Sequence, residues 1–207
     1  MPRLLISLAV TALLVFLSHF YVDADLALFI SRRFAGNSTW ARYTAAIPDL
    51  LFLLVCIMTV VSVICYRVRT RGGINTTAAS FFQLVAYAVP ASYVSKVVLK
   101  LIFGGVNTRV WLHKPRLYGF HWFQGGGFYD GFPSGHMAVF MTLTAAIWRF
   151  YPRCRIICPI FMLVFASSLI VTNYHFLGDI LAGAYLGVLV EAVSYRLLHR
   201  QRRIPGQ

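Results

Sequence analysis

The sequence predicts an all-α membrane protein with six transmembrane helices, both termini in the cytoplasm and a candidate active site at the outer membrane face. Of the 207 residues, 59% are hydrophobic and 12% are charged, whereas about 25% of the residues of a soluble domain are charged. Several apolar runs are long enough to cross about 30 Å of hydrocarbon as helices. Arginines cluster between these runs, as the positive-inside rule requires.

The apolar runs give six candidate spans. They cover residues of about 4–20, 49–66, 79–101, 135–151, 156–174 and 177–198. The first also resembles a signal peptide, since Met1-Pro2-Arg3 precedes an apolar core. We interpret it as a retained helix, because its removal would put the two ends of the chain on opposite sides of the membrane. We expect residues 1–207 to form a single integral-membrane domain.

Arginine positions predict the orientation of the spans. These residues lie at alternate ends of the spans: Arg3; Arg67, Arg69 and Arg71; Arg149, Arg153 and Arg155; Arg196, Arg200, Arg202 and Arg203. The positive-inside rule places all of them, and with them both termini, in the cytoplasm. Because this topology accounts for where the basic residues of a +13 chain lie, we expect the bilayer as a partner and no nucleic acid.

Two long segments are predicted on the outer side. Residues 21–48 mix aromatic, charged and small residues, which predicts an interfacial helix followed by a loop. Residues 104–133 are rich in glycine and aromatic residues, which suits a loop over the bilayer surface. The short loops and small size favour a bacterial inner membrane, with the candidate active site facing the periplasm.

Pro133-Ser134-Gly135-His136 begins the fourth span. The first turn of a helix binds anions, because its N–H groups are unsatisfied and the helix dipole is positive there. Ser134 adds a hydroxyl, Gly135 permits close approach of the backbone, and His136 carries a proton that exchanges near neutral pH. An ordinary serine-capped helix would have the same sequence, so this motif alone leaves both interpretations open.

His175 and Asp179 begin the last span. Residues four apart share one face of a helix, so the carboxylate is expected to fix the imidazole tautomer and leave the other ring nitrogen free to attack. Two alternatives stay open. The pair could be a hydrogen bond that ties helices together, or His136, His175 and Asp179 could be three metal ligands.

Cationic residues near the outer ends of the spans favour an anionic substrate over a bound metal ion. They are Lys96, Lys100, Arg109, Lys114 and Arg116. Lys100 ends the third span, and the planar guanidinium of Arg109 matches phosphate oxygens. Lys96 could instead snorkel to the membrane surface. Lys114 and Arg116 could form a basic rim that faces lipid headgroups.

These motifs resemble the signatures of the type 2 phosphatidic acid phosphatase superfamily, whose membrane members are six-helix lipid phosphatases. The family signatures are Lys, six residues, Arg-Pro; Pro-Ser-Gly-His; and Ser-Arg, five residues, His, three residues, Asp. The second is complete at residues 133–136, and the third is matched by Ser168, His175 and Asp179. The resemblance covers residues of about 80–190.

The resemblance implies a metal-independent lipid phosphatase without a cofactor, acting on a lipid phosphate or diphosphate. His175 would be the nucleophile that forms a phosphohistidine, Asp179 would orient it, and His136 would be the general acid. The residues implied to bind phosphate are Lys100, Arg109, Ser134 and Gly135, with Arg116 as a further candidate.

The first signature is irregular in this chain. Lys100 and Arg109 are separated by eight residues, and Val110 replaces the proline. An alternative alignment uses Arg109 and Arg116, which have six residues between them. We prefer Lys100 and Arg109 because Lys100 stands at the end of a span.

The third signature lacks its arginine, because Leu169 follows Ser168. Arg116 or Lys114 would then replace this phosphate-binding group. The departures leave two alternative functions, a lipid phosphotransferase with the same His-His-Asp core and a non-catalytic lipid-phosphate-binding protein.

Overall fold

The computed structural model describes residues 2–34, 47–71 and 76–202. Its α-helices, numbered here in chain order, are α1 Pro2–Tyr21, α2 Asp23–Phe34, α3 Ile47–Thr70, α4 Thr77–Phe103, α5 Thr108–His113, α6 Gly135–Phe150, α7 Ile157–Val171 and α8 Leu177–Arg202. Two short 3₁₀ turns follow α5 and α6. No strand occurs within the described ranges, so the predicted all-α class is confirmed there.

Within the described part of the chain, four helices are long and apolar enough to cross a membrane. These segments are Leu4–Tyr21, Leu50–Thr70, Thr77–Phe103 and Leu177–Arg200. They correspond to the first, second, third and sixth predicted spans. Helices α6 and α7 have 16 and 15 residues, which corresponds to lengths of about 24 and 22 Å. Membrane-length helices are therefore confirmed, and the total of six spans stays a prediction.

Helix α7 ends earlier than the predicted limit of residue 174. Its last helical residue is Val171, and Asn173 adopts a left-handed backbone conformation with φ of 49°. A left-handed residue directly after a helix stops its hydrogen-bond ladder. The residues before α8 are thereby released from helix geometry, which matters for the position of His175.

The centre of the bundle is formed by α4. It packs against α3, α6 and α8, and its buried stripe includes Leu84, Val85, Ala88 and Val89. On the outside of the bundle, α1 and α3 leave many of their large apolar side chains exposed. Such exposure suits helices that face lipid.

Close approach of α6 and α8 depends on two glycines. A Cβ atom on Gly183 would lie 2.4 Å from the carbonyl oxygen of Ser134, and one on Gly187 would lie 2.5 Å from that of Ala138. The hydroxyl of Thr142 also donates a hydrogen bond of 3.1 Å to the Gly187 carbonyl. Small residues permit this kind of packing in membranes, so Gly183 and Gly187 allow the two helices to approach this closely.

Further along the same two helices, Arg149 and Glu191 form an ion pair. Glu191 is only 2% exposed, and it accepts hydrogen bonds of 2.5 and 2.8 Å from Nε and Nη2 of Arg149. A buried carboxylate needs such a partner. The pair therefore links α6 to α8.

The corner between α1 and α2 contacts the start of α8. Oδ1 of Asp23 accepts hydrogen bonds of 2.7 Å from the Ser18 hydroxyl and 3.0 Å from the Gly178 N–H. Because the last turn of α1 meets the first turn of α8, these two helices run in opposite directions. The helix predicted within residues 21–48 is α2, and its predicted loop falls on residues 35–46, outside the described ranges.

Candidate active site

The motif at residues 133–136 forms the start of α6, as predicted. The Ser134 hydroxyl accepts a hydrogen bond of 3.3 Å from the Met137 N–H, so it caps the helix. The Ser134 N–H in turn donates a hydrogen bond of 3.0 Å to the backbone carbonyl of Asp179. Ser134 is fully buried and does not line the cavity described below, whereas Gly135 and His136 do. The seryl residue therefore joins the first turns of α6 and α8.

The prediction that His175 and Asp179 share one helical face is wrong. Helix α8 begins at Leu177, so His175 precedes it. Oδ2 of Asp179 accepts a hydrogen bond of 3.0 Å from the Phe176 N–H and lies 3.4 Å from Nδ1 of His175. The Asp179 carboxylate binds an N–H group that is unsatisfied at the helix start. The His175 imidazole contacts the same carboxylate from the turn that precedes the helix. The predicted contact exists, but a helix N-terminus produces it.

Both histidines line a cavity of about 240 Å³, together with Lys96, Lys100 and Asp130. The ring centroids of His136 and His175 are 6.1 Å apart. Lys100 donates a hydrogen bond from Nζ to the Asp130 backbone carbonyl. The end of α4, the start of α6 and the residues before α8 thus meet at one end of the bundle.

His175 is a neutral imidazole at physiological pH. Burial, reinforced by the Lys100 ammonium, lowers the pKa of His175 to about 3, and a hydrogen bond with the Gly131 backbone opposes this shift. The contact of Nδ1 with Asp179 then has the character of a hydrogen bond to the neutral ring. A neutral imidazole has a lone pair on one ring nitrogen, which is the state required of a nucleophile.

The glycine-rich segment between α5 and α6 closes one side of the cavity. A Cβ atom on Gly125 would lie 2.2 Å from the Lys100 carbonyl oxygen, so this segment presses against the last turns of α4. The same segment carries Asp130 into the cavity wall. Its aromatic residues Trp122, Phe123 and Phe128 are exposed, as expected for a segment at the membrane surface.

The structure places the predicted arginines outside the cavity. Nη2 of Arg109 donates 3.2 Å to the Thr172 carbonyl, and its guanidinium lies 4.8 Å from the centroid of the Tyr174 ring. Arg109 therefore braces the turn that carries His175. Arg116 is exposed, and Lys114 lies over the Phe128 ring at 4.6 Å.

Sequence reasoning gave too little weight to Lys96 and missed Asn107. Both line the cavity. Lys96 lies one turn before Lys100 on α4, and that spacing was its signal. Asn107 is the seventh residue after Lys100, the position at which the family signature has its arginine. Among the described residues that line the cavity, the cations are Lys96 and Lys100.

An apolar groove of about 270 Å³ adjoins the polar cavity. The two share Leu51, His136 and Tyr174. The rest of the groove is lined mainly by α3 and α7, including Phe165 and Leu169. The residue that replaces the expected arginine is therefore part of an apolar wall.

The described residues contain no group of three His, Cys, Asp or Glu side chains placed to hold a metal ion. His136, His175 and Asp179 thus do not form the predicted alternative of a three-ligand site. The arrangement instead presents two histidines and two ammonium groups to one cavity.

Long apolar helices and a buried histidine pair beside a lysine-lined cavity define a helical membrane protein with a site for an anion. The chain belongs to the PAP2 superfamily, because the model of that family matches residues 81–203, more than half of its length. The resemblance inferred from the motifs is confirmed. Members of this superfamily are generally phosphatases. No curated protein and no solved structure matches the chain.

Proposed function

We propose that the protein is an integral-membrane lipid phosphatase that hydrolyses a phosphomonoester or a diphosphate on a lipid headgroup. The observation that carries this proposal is the junction of the two cavities. The polar one holds both histidines and two lysines, and the apolar one shares His136 and Tyr174 with it. A ligand that fills both must have a phosphorylated head and an apolar chain.

In the first step, Nδ1–H of His175 donates to Asp179 while the lone pair on Nε2 attacks phosphorus. In this step the single proton of the neutral ring is on Nδ1, so the hydrogen bond from the ring to the Gly131 backbone is given up when the substrate binds. A phosphorus–nitrogen bond forms as the bond from phosphorus to the leaving oxygen breaks. His136 gives its proton to that oxygen, so the lipid leaves as an alcohol or, from a diphosphate, as a lipid monophosphate.

In the second step, water attacks the phosphohistidine. His136 accepts a proton from this water, the phosphorus–nitrogen bond breaks, and orthophosphate leaves. Both histidines return to their starting protonation states, so the net reaction consumes one water per phosphate released. Lys100 and the N–H groups at Gly135 and His136 stabilise the charge on the transferring phosphoryl group. Ser134 supports these N–H groups as the helix cap.

Arg109 supports this reaction through its contacts with the turn before His175. Direct binding of phosphate by Arg109 or Arg116 stays a prediction. For the protein as a whole we propose six spans in a bacterial inner membrane, with both termini in the cytoplasm and the cavity open to the periplasm.

The test is turnover of phosphatidate and of a polyprenyl diphosphate by the purified protein in detergent, with EDTA present. We expect release of orthophosphate and expect His175→Ala to lower it by about 10³-fold or more. His113→Ala is the matched control, because His113 is exposed and lies outside the cavity. Undiminished release by the His175 variant would contradict the mechanism.

The same assay separates the alternatives when labelled lipid and an alcohol acceptor are included. Labelled acceptor without orthophosphate would indicate a phosphotransferase. Absence of turnover with every lipid phosphate would indicate a binding protein. Loss of activity in EDTA that added metal restores would contradict the metal-independent scheme.

A further inference from the structure

The cavity concentrates positive charge that the described residues do not balance. Lys96 and Lys100 lie one turn apart on α4, and both line it. Like charges at this spacing repel each other, and the start of α6 adds the positive end of a helix dipole. Asp130 is the carboxylate among the described lining residues. A dianion would therefore be strongly favoured here.

Lys96 reaches the backbone at the start of α6. A Cβ atom on Gly135 would lie 2.8 Å from Cδ and 3.3 Å from Nζ of Lys96. The ammonium also lies 4.2 Å from the centroid of the Tyr93 ring, which holds it by a cation–π contact. Its position beside Gly135 places it next to the N–H groups that bind anions at a helix start.

Among the described residues that line this cavity, the two arginines of the family signatures have no counterpart. Asn107 stands at the first arginine position and lines the cavity. Leu169 stands at the second and lines the apolar groove. Lys96 therefore supplies a second cation to a cavity in which neither signature position carries an arginine.

We propose that Lys96 is a phosphate-binding residue, and that the site binds the phosphoryl group with the ammonium groups of two lysines instead of the guanidinium groups of arginines. This inference rests on the proposed function, since it names a ligand of the phosphoryl group in that reaction. The Lys96 ammonium contacts a non-bridging phosphate oxygen, and Gly135 leaves the space for it. Leu169 is thereby free to extend the apolar wall beside the headgroup.

The first experiment measures binding of inorganic phosphate to the full-length protein in detergent by calorimetry. We expect Lys96→Met to weaken phosphate binding by at least roughly tenfold, because a charge-assisted hydrogen bond is lost. Lys96→Arg should retain most of the affinity. Arg155→Met is the control, since it removes one exposed positive charge outside the cavity and should leave the affinity unchanged.

The second experiment asks whether Lys96 acts at the α6 turn. Gly135→Ala should weaken phosphate binding in the wild type, because the added methyl group displaces the lysine side chain. In the Lys96→Met background the same change should have little further effect. Thermal unfolding of each variant checks that the fold is retained, and a purely structural lysine would not produce this dependence.

The outcomes separate the two proposals. Wild-type affinity in Lys96→Met, additive effects of Gly135→Ala, or no phosphate binding by the wild type would each overturn the role of Lys96. Turnover of lipid phosphate by the wild type could still establish the proposed function in those cases. Lys96-dependent phosphate binding without any turnover would support the lysine site and reject hydrolysis.

Discussion

Burial of the His175 side chain determines its protonation state. Its side chain is almost fully enclosed, and the pKa of His175 falls from 6.5 to about 3. The unfolded chain has no such burial, so its imidazole keeps the ordinary value. The contribution of His175 to stability is complete above pH 6.5 and is lost as the pH falls toward 3, because only the unfolded chain then binds the proton.

We therefore predict that, as the pH falls below 6.5, the free energy of unfolding changes less favourably for the wild type than for His175→Asn. One proton taken up on unfolding corresponds to a slope of about 1.4 kcal/mol per pH unit. Unfolding midpoints of both proteins in detergent, measured between pH 7 and pH 4, would give the two slopes. Parallel curves would contradict the neutral state inferred for His175. Absolute destabilisation by the substitution does not matter, since the comparison is between slopes.

Individual residues differ in how well the sequence predicted them. His136, His175 and Asp179 were identifiable because titratable residues at the start of an apolar span are rare without a function. Arg109 was expected to bind phosphate, but a guanidinium can also donate a hydrogen bond to a carbonyl oxygen and lie over an aromatic ring. Its contacts with Thr172 and Tyr174 depend on how the segment after α7 turns, which no local pattern in the sequence specifies.

At the level of elements, Asp23 joins the α1–α2 corner to the helix that carries Asp179. It is buried, and it accepts from Ser18 and from the Gly178 N–H. Burial raises the pKa of Asp23, while the hydrogen bonds from Ser18 and Gly178 oppose the shift. The N–H of Gly178 is one of the unsatisfied donors at the start of α8. Asp23 therefore helps to fix the first turn of that helix.

We predict that Asp23→Ala lowers the free energy of unfolding by about 2–4 kcal/mol, because two buried donors lose their acceptor. Turnover should fall as well, since α8 positions Asp179. Asp23→Asn keeps an acceptor oxygen and should restore most of both properties. Chemical unfolding in detergent and the orthophosphate assay measure them. Equal losses in the Ala and Asn variants would show that the charge of Asp23 matters, not its hydrogen bonds.

The sequence predicted the positions of the long helices more closely than the contacts between helices. The apolar runs located the long helices because lipid requires each span to satisfy its own backbone. The role of the α1–α2 corner was not visible, because Ser18 and Asp23 precede residues 81–203, which match the family. A serine and an aspartate beside a helix end have no distinctive pattern. Gly183 and Gly187 form a stripe of small residues one turn apart, which indicates close packing against a neighbouring helix but does not identify α6 as that neighbour.

At the scale of the whole molecule, the two ends of the bundle differ in chemistry. One end holds the cavity with both histidines. Helix α4 runs from Thr77 to the cavity, and α6 runs away from it. The opposite end of the bundle therefore carries the arginines at the end of α3 and those on either side of the turn between α6 and α7. The directions of α1 and α8 also carry Pro2 and Arg202 away from the cavity. An orientation that puts the arginines in the cytoplasm then faces the cavity outward.

We predict this orientation for the protein in a bacterial inner membrane. Green fluorescent protein fused to the C-terminus should fluoresce, because that end lies in the cytoplasm. Alkaline phosphatase is active only in the periplasm, so it should be inactive at the C-terminus and active when inserted between Gly127 and Phe128, at an exposed turn of the glycine-rich segment. Each reporter is the control for the other. An inactive insertion together with a green fluorescent protein that stays dark and an active alkaline phosphatase at the C-terminus would place the cavity on the cytoplasmic side, which an even number of spans alone does not exclude, and would require a substrate in the inner leaflet.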